Sequence, residues 1–167
     1  MVRIGINPLT WTNDDLPALG DNNSLQTCLS EAKLAGYEGV ELGRKFPRDP
    51  AVLGPILKKF GVDLVSGWYS GRLLERSVDD EIKALQPHLK LLKSLGSKAM
   101  VFCEVSRCVH GERKVPLSKR PQLTDQEWKP FSQHLDQVAA YLDGQGVKMA
   151  YHHHMGTVIQ AEDEVTA

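Results

Sequence analysis

The feature that most limits what this chain can fold into is a unit that recurs four times: a segment of helical apolar spacing, a glycine, then a short β-rich run. It occurs as Leu34-Ala35-Gly36-Tyr37 before Gly39-Val40-Glu41-Leu42, and as Lys59-Phe60-Gly61 before Val62-Asp63-Leu64-Val65. It returns as Ser94-Leu95-Gly96 before Ala99-Met100-Val101-Phe102, and as Gly144-Gln145-Gly146 before the run Val147 to Tyr151. Glycine ends a helix in the left-handed conformation at the least steric cost, so each instance reads as a helix C-terminus feeding a strand. With an opening strand from Arg3 to Asn7, the spacing predicts five strands and four intervening helices in strict alternation. Such alternation specifies a parallel sheet with right-handed crossovers.

The helical segments carry their own signals. Leu25, Cys28, Leu29, Ala32 and Ala35 recur at helical spacing behind a capping start, Asn22-Asn23-Ser24. Ile82, Leu85, Leu89, Leu92 and Leu95 do the same, with Pro87 placed to kink or split the helix. Thr124-Asp125-Gln126-Glu127 is a capping box ahead of Phe131, Leu135, Val138 and Leu142. Two architectures accept this order, an open doubly wound sheet and a (β/α)8 barrel. A barrel uses about 250 residues. This chain has 167 and closes on Glu162-Asp163-Glu164-Val165-Thr166-Ala167, a helix start. Against the open sheet, Asn7-Pro8-Leu9-Thr10-Trp11 stands where a glycine-rich phosphate loop would follow the first strand. The expectation is one α/β domain over residues 1–167: the N-terminal part of a TIM (β/α)8 barrel, with five strands and about four helices, and strands six to eight missing.

A net charge of −1 gives no electrostatic footprint for nucleic acid or an anionic membrane, so small molecules are the expected partners. The opening Met1-Val2-Arg3-Ile4-Gly5 lacks a signal-like apolar core, and no apolar run reaches spanning length, so a cytoplasmic protein is expected. The three cysteines, Cys28, Cys103 and Cys108, lack zinc-ribbon or CxxC spacing and read as reduced thiols. The long segment from Ser106 to Leu123 reads as a lid or a mobile loop.

In a parallel β/α array the strand C-termini share one rim. That rim would hold Asn7 and Trp11, Glu41 with Arg44 and Lys45, Trp68 and Tyr69, Glu104, and the run His152-His153-His154. Carboxylate, amine, imidazole and indole together suit a polyhydroxylated ring, with aromatic faces over its C–H surface. Asn7, Trp11, Glu41, Trp68 and Tyr69 are the expected substrate contacts. On a strand, His152 and His154 would share one face and form half of a metal site. The plainer readings are barrel-mouth packing for Trp68 and Tyr69, a solvated loop for Lys45, and surface carboxylates at Glu41 and Glu104 paired with Arg44 and Arg107.

Four segments, Ile6 to Pro17, Glu41 to Arg48, Val65 to Arg76 and Tyr151 to Thr157, together resemble the myo-inosose-2 dehydratase (2-keto-myo-inositol dehydratase) family across essentially the whole chain. The resemblance implies a barrel of the xylose isomerase-like superfamily and a cytoplasmic hydro-lyase of inositol catabolism. Such an enzyme removes water from 2-keto-myo-inositol (scyllo-inosose) to give a trihydroxycyclohexane-1,2-dione. It implies manganese or cobalt as cofactor, glutathione as a further requirement, and allows a homo-oligomer. Superfamily relatives hold their ion with one ligand from each of strands five to eight, so the implied ligand here is His152 or His154, with the remaining ligands on strands this chain lacks. By chemistry and rim position, Glu104 and Lys45 are the candidates for proton transfer. The alternatives are a sugar isomerase or epimerase on the same barrel, or a non-catalytic truncated fragment; the 167 residues alone are expected to be inactive.

Overall fold

The computed structural model describes residues 2–166. Five strands, β1 (Gly5–Ile6), β2 (Gly39–Leu42), β3 (Asp63–Gly71), β4 (Ala99–Glu104) and β5 (Lys148–Tyr151), follow one another in the sheet in sequence order. β1 pairs parallel with β2, and β2 parallel with β3. Between them run α1 (Leu25–Leu34), α2 (Pro50–Phe60), α3 (Val78–Ser94) and α4 (Asp125–Gly144), and a short α5 (Glu162–Val165) follows β5. The alternating parallel α/β order is the one the glycine repeat predicts. Gly36, Gly61, Gly96 and Gly146 all take positive φ, at 93°, 65°, 80° and 77°, where each helix hands over to its strand.

Two local expectations change. The opening strand shrinks to two residues because the Asn7 side chain accepts the Leu9 amide at 2.8 Å and turns the chain into a 3-10 turn, Pro8–Thr10. Pro87 does not split α3. An interior proline costs about 3 kcal/mol, whereas the burial of Leu85, Leu89, Leu91 and Leu92 on that helix is worth about 1.5–3 kcal/mol per side chain. The closing acidic segment is a real if brief helix, its start fixed by Glu164 Oε2, which accepts the Gln160 and Ala161 amides at 2.8 Å each. The capping box of α4 is present: the Glu127 carboxylate accepts the Thr124 amide at 2.9 Å and its hydroxyl at 3.0 Å. Among the described residues no helix is long and apolar enough to cross a membrane.

The chain forms two compact units, residues 2–68 with 87–100 and residues 69–86 with 101–166. In the first, Cys28, Leu29 and Ala32 of α1, Leu53 and Leu57 of α2, and Val40 and Leu64 of the strands are buried. The Lys33 ammonium of α1 donates to the Gly61 carbonyl at 2.8 Å and so caps α2. In the second, the fully buried Phe102 ring lies 5.7 Å from Tyr69 and 6.3 Å from Tyr151, with Val138 and Leu142 of α4 also buried.

The segment from Ser106 to Leu123 is fastened within the second unit. Val109 N–H donates to the Gly156 carbonyl at 2.9 Å, and Arg120 donates to Thr157 O at 3.2 Å and to Glu164 Oε1 at 2.7 Å. Arg120 and Glu164 are each only 10% exposed. A side chain at Gly156 would meet the His110 amide nitrogen at 2.8 Å, so glycine is required for this closeness. Burial pushes the Glu164 carboxyl up, but the Ala161 and Gln160 amides and the Arg120 guanidinium outweigh it and hold its pKa below the usual range. A depressed folded pKa gives stability that is present above the unfolded value of about 4.3 and is lost as pH falls through the folded one. Protection of residues 106–123 against hydrogen exchange, relative to the intrinsic rate, is therefore expected to fall selectively on acidification through and below the ordinary carboxylate range, and in Glu164→Gln to be low already at neutral pH. Protection that is unaltered by either change would contradict this.

Candidate active site

In the first unit, three neighbouring parallel strands supply a hydrogen-bonded cluster. Asn7 follows β1; with its Oδ1 committed to the Leu9 amide, its Nδ2 donates to Glu41 Oε1 at 2.6 Å. Ser66 on β3 is the register partner of Glu41 and donates its hydroxyl to Glu41 Oε2 at 2.6 Å. The carboxylate thus receives one donor on each oxygen and is held in one orientation. Asn7 is exposed and Glu41 half-buried, so a ligand can reach both. Ser66 escaped the sequence reading because its pairing follows a register shift between Val40 and Glu41, which no periodicity reveals.

The other expected members of this unit take different partners. Trp11 donates its indole N–H to Glu31 Oε2 at 2.6 Å. Lys45 donates to the Asp21 carbonyl and, at 2.6 Å, to the Asn23 carbonyl. The pairing of Glu41 with Arg44 does not form: Arg44 goes to Asp21 at 2.9 Å and to the carbonyls of Pro17 and Asn13, because Glu41 is already bound by Asn7 and Ser66. Arg44 and Lys45 together staple the segment between Trp11 and Ser24. Trp68 is half-buried.

In the second unit, two fully buried carboxylates grip consecutive backbone amides just past β3. Glu81, in the first turn of α3, accepts the Arg72 amide at 3.1 Å, the Tyr69 hydroxyl at 2.5 Å and the Arg76 guanidinium at 3.5 Å. Glu104, at the end of β4, accepts the Leu73 amide at 2.6 Å and the Ser106 amide at 2.8 Å. Glu104 is therefore not a surface carboxylate paired with Arg107, which instead reaches Glu127 at 3.1 Å. Burial, aided by the negative charge of Glu81, raises the Glu104 pKa despite the lowering effect of its amide donors. The Tyr69 phenol is pushed up by burial first and by its bond to Glu81 second. Glu81 went unread because its position, four residues before Leu85 on the helix stripe, looks like core.

The histidine run lies past the last residue of β5, Tyr151, so strand alternation does not govern it. The His152 amide still donates to the Phe102 carbonyl at 2.8 Å. The His152 ring is 6.1 Å from His153 and 5.8 Å from His154, and His154 meets His110 edge-on at 4.9 Å. His154 Nδ1 lies 2.9 Å from the Met155 carbonyl, a contact that needs its proton on Nδ1 and leaves the lone pair on Nε2. His110 sits in the long loop, where nothing in its sequence neighbourhood marks it. Among the described residues no group of three or more His, Cys, Asp or Glu is arranged to hold a metal ion. His152 and His154 alone do not make a divalent site.

Comparison with known proteins adds to this geometry. No family model matches the chain. The probable 3-DHS dehydratase AsbF from Bacillus anthracis superposes with a TM-score of 0.64 at 10% identity, over 99% of this chain and 57% of that one. A xylose isomerase-like TIM barrel protein from Mycobacterium smegmatis gives 0.64 at 13% identity, over 98% and 59%. The fold is that of the xylose isomerase-like TIM barrels. In sequence, the chain is 46% identical over 164 residues to the rhizopine catabolism protein MocC of Rhizobium meliloti, covering 98% of the chain and 50% of that protein. It is 37% identical over 165 residues to an inosose dehydratase of Clostridium perfringens, covering 98% of the chain and 56% of the relative. The chain thus spans about half the length of the curated relatives it matches. Asn7 directly follows β1 and Glu41 stands one residue before the end of β2, near the strand ends at which barrels of this type place their chemistry, while Ser66 lies within β3.

Proposed function

We propose that the protein carrying this chain is a hydro-lyase that removes water from 2-keto-myo-inositol to give a trihydroxycyclohexane-1,2-dione. The observation that carries the reading is the cluster of Asn7, Glu41 and Ser66: an accessible carboxylate held between an amide and a hydroxyl, suited to adjacent ring hydroxyls. Kinship with an inosose dehydratase over 98% of the chain supports it. Within the first unit, Trp11 and Trp68 are proposed to cover the C–H faces of the ring; Tyr69 is proposed as a substrate contact of the second unit.

Loss of water next to a ketone needs a base for the α-proton and an acid for the departing hydroxyl, each worth about 10²- to 10⁴-fold. Of the two proton-transfer candidates, Glu104 has the better chemistry, since burial favours its protonated form as a general acid requires. Lys45 is occupied by two backbone carbonyls and is assigned to holding the loop around Asp21. A manganese or cobalt ion at His152 or His154 enters the proposal only with further donors, and no step is routed through it. When bound, such an ion would polarise the substrate carbonyl.

The test is product analysis with 2-keto-myo-inositol and added manganese. A dione with ultraviolet absorbance is expected; an isomeric ketose would mean epimerisation, and binding without turnover a non-catalytic module. The higher identity to MocC favours a second reading, a step in rhizopine breakdown. Conversion of rhizopine with no dehydration of the inosose would select it.

A further inference from the structure

We propose that Glu81 is a positioning residue of the second unit: from the first turn of α3 it fixes the phenol of Tyr69 in the orientation in which that ring meets a cyclitol. The inference rests on the reading of Tyr69 as a substrate contact.

Three observations within the second unit support it. Glu81 is fully buried, whereas its helix neighbours Asp79 and Asp80 are exposed. It also begins the stripe continued by Leu85, where packing alone would favour leucine. A buried carboxylate is costly unless paired and hydrogen-bonded, so its presence calls for partners that need it. Those partners are specific. Oε1 receives the Tyr69 hydroxyl at 2.5 Å, and Oε2 receives the Arg72 amide at 3.1 Å and Arg76 at 3.5 Å.

One side chain therefore ties the last residues of β3 to the turn that follows. Glu104 takes the next amide, Leu73, so the backbone beyond Tyr69 is held at two consecutive positions. Tyr69 has a single hydroxyl proton, and it is committed to Glu81. A ring fixed in this way has little rotational freedom left to lose on binding.

The test is a double-mutant cycle of Glu81→Gln and Tyr69→Phe, read by steady-state kinetics on 2-keto-myo-inositol, with thermal unfolding of each variant as the check on folding. Each single change is expected to raise KM about five- to tenfold, the worth of one hydrogen bond, with kcat nearly unchanged. The double variant should have a KM no higher than Tyr69→Phe, since both changes act on the one Tyr69–Glu81 contact, which glutamine weakens and phenylalanine removes. An unaltered KM in folded Glu81→Gln, or effects that multiply in the double variant, would overturn the proposal. Should Glu81→Gln not fold, Glu81→Asp withdraws the charge by one methylene and decides by the same readout: a raised KM supports the role and an unchanged one refutes it. If the unsubstituted protein leaves 2-keto-myo-inositol intact, the dehydratase reading fails separately. Calorimetric affinity for myo-inositol, compared between the unsubstituted protein and Glu81→Gln, then decides: weaker binding supports the positioning role, and equal or absent binding overturns it.

Discussion

Replacing Glu104 by Leu is expected to destabilise the protein by about 2–4 kcal/mol, although leucine is apolar and the site is fully buried. The carboxylate accepts the Leu73 and Ser106 amides, and leucine offers neither an acceptor. Each buried donor left without a partner costs about 1–3 kcal/mol. Leucine has no polar oxygens to desolvate, which returns part of that sum, and that is why the estimate lies below the total of two lost partners. Glu104→Gln keeps one carbonyl oxygen and turns an NH2 toward the other amide, so about half the loss is expected. Denaturant unfolding of the three proteins measures the series. A Leu variant as stable as the unsubstituted protein would show that these amides do not depend on the carboxylate. Glu104 would then be held in place for chemistry alone.

Gly71→Ala is the second large effect, expected at about 3 kcal/mol. A Cβ on Gly71 would lie 2.0 Å from Cζ of Phe102 and 2.6 and 2.7 Å from its two Cε atoms. The ring has little room to retreat, because it is fully buried with the Tyr69 and Tyr151 rings 5.7 and 6.3 Å away. The Gly71 carbonyl is itself fixed by the Val105 amide at 2.9 Å, so the strand cannot shift freely either. Thermal unfolding should show the loss, and Phe102→Leu in the Gly71→Ala background should recover part of it, since the smaller side chain vacates the collision. Strictly additive losses in the pair would locate the strain elsewhere.

Particular residues show what was legible. The glycine-terminated helices, the Thr124 cap and the parallel order follow from chain-local rules: backbone conformation, capping and spacing act within a few residues, so the linear sequence contains them. The membership of Asn7 and Glu41 in one polar cluster was also within reach, because both stand at strand exits or on strand faces in a parallel array. The partners of Glu41 were not. Arg44 is three residues away and opposite in charge, yet Asn7 and Ser66 claim the carboxylate, from 34 and 25 residues away in sequence.

The sequence by itself determined the element order and the helix ends, since each is a short-range choice repeated with a constant period. Tertiary structure alone decided that Glu81 and Glu104 clamp the exit of β3, that Arg120 fastens the long loop, and that His110 joins His154. Those outcomes turn on register and burial. Both are set by which distant surfaces exclude water together, and a buried polar group then takes whichever partner that packing brings within about 3 Å.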